Sequence, residues 1–175
     1  MLFKLSRAEM HLADCLGKDT VRLCEMQGAR PRFPDENGLD KRIEANIRAY
    51  RGEILFARIF NLEMPKLNVL GDEGVDAWLG DIGIDVKVSG KEWGDLIFDK
   101  GKFKADGAVG FGQCEEPDML RLHGCIQKTA FMEQHELFDY GYGEKMRMYA
   151  NDLLPIEQLW LGHITSEMVY KDKAA

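Results

Sequence analysis

Long apolar runs are missing from this chain: no stretch approaches the ~18 apolar residues that a membrane-spanning helix needs. A membrane partner is therefore not expected. The opening stretch MLFKLSRAEMHLADCLG also lacks the short basic region and apolar core of a secretory signal and reads as an amphipathic helix. The expected compartment is the cytoplasm. Paired cysteines are missing too. Cys15, Cys24, Cys114 and Cys125 are widely spaced and form no CxxC element, which argues against a zinc ribbon or redox dithiol and for free buried thiols. His123 and Cys125 with Cys114 give no more than a partial metal site, a reading set aside in favour of free thiols, while His11, His135 and His163 show no partner spacing and are assigned to the surface or to local packing. Positive charge is in deficit as well. With 23 Lys and Arg against 30 Asp and Glu the formal charge is −7, which predicts weak non-specific affinity for a polyanion. No repeat or low-complexity linker divides the chain, and 175 residues bury enough surface to hold one core without staples. A single domain over 1–175 is expected, with an N-terminal helical segment over about 1–38 and a C-terminal extension over about 137–175.

Residues Ser6 to Gln27 read as a helix, with Ala8, Leu12 and Cys15 or Leu16 along one side, and Ala29 to Gly38 as a loop rich in Pro, Gly and charge. From Asp40 to Phe60, Ile43, Ile47, Tyr50, Ile54 and Ala57 recur at helical spacing, and Glu63-Met64-Pro65 ends that helix. Val75 to Val88 reads as a hairpin, followed by a polar turn over Ser89 to Asp95. Short strands are predicted over Leu96 to Phe98 and Ala108 to Phe111, joined by DKGKFKAD, a basic loop expected to be mobile near an active face. MLRLHGCI is a further strand, a helix starts over Lys128 to Glu136, and Asn151 to Pro155 is a turn. Helix, hairpin, strand, strand, helix suits a mixed sheet flanked by helices, an α/β fold.

The hairpin carries the chemistry. Gly80-Asp81 as its two-residue loop pairs Leu79 with Ile82, Trp78 with Gly83, Ala77 with Ile84 and Asp76 with Asp85. Ile82, Ile84, Val86 and Val88 then face the core, while Gly83, Asp85, Lys87 and Ser89 face the other way. Directly opposed residues have Cβ atoms about 4.5–5.5 Å apart, and two carboxylates at that distance repel. A hard divalent cation would offset the repulsion, with Lys87 adding positive charge. Asp85-Val86-Lys87 is the chain's one acid-x-Lys triplet. Alone, such a triplet also describes a solvated strand face.

Glu53 borders the apolar stripe of the Asp40 to Phe60 helix beside Gly52, which permits close approach to a sheet. Its carboxylate can overhang the strand face, or it can be a surface Glu paired with Arg48 or Arg51. Glu53, Asp76 and Asp85-Val86-Lys87 together resemble the PD-(D/E)xK nuclease superfamily: a helical acid, an acid on a strand, then acid-x-Lys on the next strand. Val75 stands where that family's proline often precedes the first aspartate. The resemblance spans roughly Ile43 to Phe111, with ADGAVGFG in the place of the next core strand, and the layout also looks like small phage-encoded members. It implies a restriction-endonuclease-like mixed β-sheet flanked by helices and a Mg²⁺- or Mn²⁺-dependent deoxyribonuclease, more often an endonuclease, of the kind used in DNA recombination and repair. Asp76, Asp85 and the Val86 carbonyl would ligate the metal. Glu53 would hold a metal-bound water or a second ion, and Lys87 would orient or deprotonate the attacking water. The setting implied is the cytoplasm of a bacterial or phage-infected cell.

DNA as partner conflicts with the net charge unless basic residues gather on one cleft. Arg30, Arg32, Lys41, Arg42, Lys87, Lys91, Lys100, Lys102 and Lys104 are the candidates, with Trp93 and Phe103 as base-stacking aromatics and Asp106 as a peripheral acid. Cutting two strands needs two sites, which makes a homodimer the expected assembly. Two other readings stay open: a non-catalytic nucleic-acid- or protein-binding module on the same fold, and a carboxylate-rich metalloenzyme acting on another phosphate ester.

Overall fold

A computed structural model describes residues 1–28, 38–67, 74–139, 141 and 143–159. The loop expected over Ala29 to Gly38 lies almost wholly outside them, as do Arg30, Arg32 and His163. The chain is a mixed α/β protein, and no helix among the described residues is long and apolar enough to cross a membrane.

Two helices form one layer. Helix α1 (Arg7–Met26) starts at Ser6 through a capping box, in which the Glu9 amide donates to the Ser6 hydroxyl and the Ser6 amide to the Glu9 carboxylate. Those exchanges satisfy amides that a helix start leaves without partners. The helix expected over Ser6 to Gln27 is thus α1 with its two caps, whereas Leu2–Lys4, which the opening stretch placed in an amphipathic helix, is a strand, β1. Helix α2 (Gly38–Phe60) lies antiparallel to α1, because Arg42–Glu25, Arg51–Asp14 and Arg58–Glu9 pair in opposite chain order. At Gly17 the two backbones close up, and a Cβ there would stand 2.6 Å from Ile47.

The central sheet holds five strands in the order β1-β6-β5-β3-β2, with β2 at Ala77–Leu79, β3 at Ile82–Ser89, β5 at Gly107–Gln113 and β6 at Met119–Gln127. The β3–β5 pair is parallel and the others antiparallel. Side chains on one face, including Ile84, Val86, Val109, Phe111, Leu120 and Leu122, pack against Ile54, Leu55, Phe56 and Phe60 of α2. Gly52 makes that contact close: a Cβ there would overlap Val88 Cγ2 and stand 3.3 Å from Val86 Cγ1.

The opposite face carries a second core. Strand β4 (Leu96–Asp99) pairs with β8 (Glu144–Met148) and β8 with β7 (Glu136–Asp139), making a separate three-stranded sheet. The Leu96 strand thus leaves the central sheet that the element order predicted for it. Phe98, Phe103, Phe131 of helix α3 (Lys128–Gln134), Met146 and Met148 fill the space between. Phe98 and Phe103 stack at 4.1 Å, and Phe131 meets both edge-on, geometries that aromatic quadrupoles favour. Phe103 is therefore a core residue, not a base-stacking one, and it ties the basic loop down.

Candidate active site at the end of the hairpin

The hairpin folds in the expected register. Gly80 takes φ +60° in the loop, and Leu79, Trp78 and Ala77 pair with Ile82, Gly83 and Ile84. Residue-for-residue pairing stops there. The Asp76 amide still donates to the Ile84 carbonyl at 2.9 Å, while the Asp76 carboxylate takes over from the missing strand and accepts the Val86 amide at 2.6 Å. A buried amide at the end of a ladder needs an acceptor, and a carboxylate is a strong one. Because a residue's N–H and C=O leave a strand on the same side, the Val86 carbonyl lies along this edge too.

Asp85 is the one buried charged side chain among the described residues, with 3% of its surface exposed. Burying a carboxylate costs several kcal/mol unless it is paired, and the pairing is local. Lys87, two residues on and on the same face, forms an ion pair with Asp85 while its own side chain stays 41% exposed. The Lys87 ammonium also lies 5.2 Å from the centre of the Phe98 ring, so β4 roofs the pair from the second sheet. The structure thus brings Asp85 and Lys87 together and sets Asp76 beside Val86.

Glu53 is half-buried on α2 next to the Gly52 contact. That contact is with Val86 and Val88, whose side chains leave β3 on the face opposite Asp85. Any approach of Glu53 to the aspartates must therefore pass around the edge of β3. Among the described residues no group of three or more His, Cys, Asp and Glu side chains stands together as a metal cluster. Asp106 joins β3 to the start of β5: its carboxylate accepts the Gly83 amide and its amide donates to the Gly83 carbonyl, both at 2.8 Å. Several candidate cations hold other partners, Lys100 with Glu144, Lys102 with Asp99 and Arg42 with Glu25.

Other side chains had no clear sequence signal. Phe98 sits in a four-residue strand whose destination is set by β8. Arg121 and His123 alternate on β6, a period-2 hint, yet their link to Glu92 and Trp93 arises only on folding. The Arg121 guanidinium donates to the Glu92 carboxylate from Nε at 2.9 Å and Nη2 at 2.6 Å, and His123 Nε2 meets the Glu92 carbonyl at 2.6 Å. Burial holds the His123 imidazole below the usual histidine range, with the Glu92 carbonyl pulling the other way. Burial raises the Cys114 thiol and pushes Cys125 up to about 11, as expected of inert structural thiols.

Comparisons with models of protein families, with curated proteins and with solved structures return no match to this chain.

Proposed function

We propose that this protein is a metal-dependent nuclease of the PD-(D/E)xK type, with a restriction-endonuclease-like sheet, hydrolysing DNA phosphodiester bonds. One observation carries the reading: a buried Asp85 paired with Lys87, beside an Asp76 carboxylate that has replaced a strand as partner to Val86. A merely solvated strand face would leave Asp85 exposed.

The donor set suits a hard divalent ion. The Asp76 and Asp85 carboxylates flank Val86, one bonded to its amide and the other its neighbour in the chain, and with the Val86 carbonyl they supply oxygen donors of the kind Mg²⁺ and Mn²⁺ prefer. Asp76, Asp85 and the Val86 carbonyl would hold the ion, with Glu53 as a further or water-mediated donor. When bound, such an ion neutralises phosphate charge and acidifies water. Lys87 is the one cation of the set, and its side chain is partly exposed. It positions the attacking water and offsets the negative charge that grows on the phosphoryl oxygens. The buried Asp85 holds Lys87 in place for that role.

Plasmid, single-stranded, flapped and four-way-junction DNA, each with Mg²⁺, Mn²⁺ or EDTA, form the test. Cleavage is expected with either metal and not with EDTA, and Asp85→Ala or Lys87→Ala should lower the rate by about 10²–10³ or more while circular dichroism shows a folded protein. Full activity in either variant removes the catalytic assignment.

A second reading has its own observation. No three-carboxylate cluster assembles among the described residues, which favours a non-catalytic binding module on this fold. Tight DNA binding by a folded protein that cleaves none of the four substrates would select it.

A further inference from the structure

We propose that Trp93, braced by Arg121 and His123, is a stacking platform for an unpaired base of single-stranded DNA, next to the hairpin site. The proposal rests on the nuclease reading and specifies the form of its substrate. Trp93 lies in the loop between β3 and β4 and is 61% exposed. An exposed tryptophan by itself is ordinary. This one is held by two side chains of β6. The Arg121 guanidinium lies over its ring at 4.3 Å, and the His123 imidazole is parallel to it within 6° at 6.0 Å. Glu92 ties both supports, its carboxylate to Arg121 and its carbonyl to His123.

The loop sits flat on the sheet because residue 112 is glycine. A Cβ at Gly112 would stand 2.7 Å from the Lys91 carbonyl and overlap that of Glu92. The ring is thus ordered before any ligand arrives, which lowers the entropy cost of binding. Every base offers a π-face to such a ring.

Charge selects the ligand. Lys91 precedes Glu92 in the loop, and the Arg48 guanidinium lies beside Gly90, 3.3 Å from where a Cβ would be. Glu92 is already paired with Arg121. A phosphate-bearing strand uses those cations, whereas a neutral sugar or an apolar peptide does not. Position also fits. Lys87 pairs with Gly110 and Gly110 with Gly124, the neighbour of His123, so two strand spacings, about 10 Å, separate Lys87 from the strand under the platform. That is a few nucleotides at about 3.4 Å per stacked step.

The experiment measures anisotropy of a fluorescein-labelled oligo(dT) and of a blunt duplex of equal length, in EDTA so that nothing is cut. Trp93→Ala should weaken single-strand binding by about 5- to 150-fold, the range that loss of one base–aromatic stack gives. Trp93→Phe should retain most of the affinity, and duplex binding should change less than twofold. Single-strand affinity within twofold of wild type in a folded Trp93→Ala protein overturns the platform, even if the wild type cleaves DNA. Trp93-dependent single-strand binding without cleavage supports the platform and removes the nuclease reading. Absence of any single-strand binding by the wild type overturns the platform, and the nuclease reading falls with it only if no DNA is cut with Mg²⁺ or Mn²⁺ either.

Discussion

At Gly52 the backbone of α2 comes close to Val86 and Val88 of the central sheet, and the missing Cβ permits that approach. Alanine there gains about 1 kcal/mol of helix propensity, but its methyl would overlap a branched side chain with little rotamer freedom, Val88. Overpacking of that kind costs about 1–3 kcal/mol. Gly52→Ala is therefore expected to destabilise by up to about 2 kcal/mol, seen as a lower urea midpoint at unchanged slope. An unchanged or higher midpoint would mean that the strand yields. Asp85 and Lys87 were legible at this scale because a two-residue spacing puts both on one strand face whatever surrounds them. The carboxylate of Asp76 was not fully legible: register set it opposite Asp85, whereas its bond to the Val86 amide depends on where β2 stops. Glu53 shows the limit of helical periodicity, which identifies the inward side of α2 but not which face of a sheet that side will meet.

Among the elements, α1 is fixed at its start by a capping pair. Ser6 and Glu9 cap each other, and Glu9 also receives the Arg58 guanidinium at 2.9 Å, joining the start of α1 to the end of α2. Ser6→Ala should cost about 1 kcal/mol, as loss of an N-cap usually does, measured by equilibrium unfolding. A variant as stable as the wild type would show that the Glu9–Arg58 pair orders the helix start unaided. The helix start at Ser6 was legible in the sequence, whereas β1 before it was not, because its partner is the distant strand β6. Strands β7 and β8 carry little local signal. Lys145, Met146, Arg147 and Met148 alternate outward and inward, but the run is short and sits among glycines and charges. Its inward methionines became core only because β4 left the central sheet to pair with it.

On the scale of the whole molecule, two cores lie on the two faces of one sheet, and they divide the cysteines. Cys15 and Cys24 are exposed on α1, whereas Cys114 and Cys125 are buried. Burial raises both inner thiols, Cys125 to about 11, so Cys125 carries almost no thiolate at pH 8 and Cys114 carries less than an exposed thiol. The folded protein should therefore react with a thiol reagent at pH 8 in two phases, two thiols quickly and two only on unfolding. Mass spectrometry of a time course checks this, and rapid labelling of Cys125 would contradict its place in the core. The sequence expectation of buried free thiols holds for Cys114 and Cys125 and fails for Cys15 and Cys24, which lie on the outward side of an amphipathic helix. Net charge had predicted poor affinity for DNA. Ion pairs at Lys100, Lys102 and Arg42 leave fewer cations to counter it than the sequence count allowed.

Local periods decided what the sequence alone determined: both long helices, the hairpin with its loop and register, and the shared face of Asp85 and Lys87. Each follows from 3.6- or 2-residue spacing and turn chemistry, which act over a few neighbours. Partners distant in the chain decided the rest. The destination of β4, the burial of Asp85, the Phe98 ring over Lys87, the Asp76 bond that replaces a strand and the Arg121–Trp93–His123 assembly all need packing between segments far apart in sequence. No local pattern encodes these, because the free energy that selects them comes from surfaces that meet only in the folded chain.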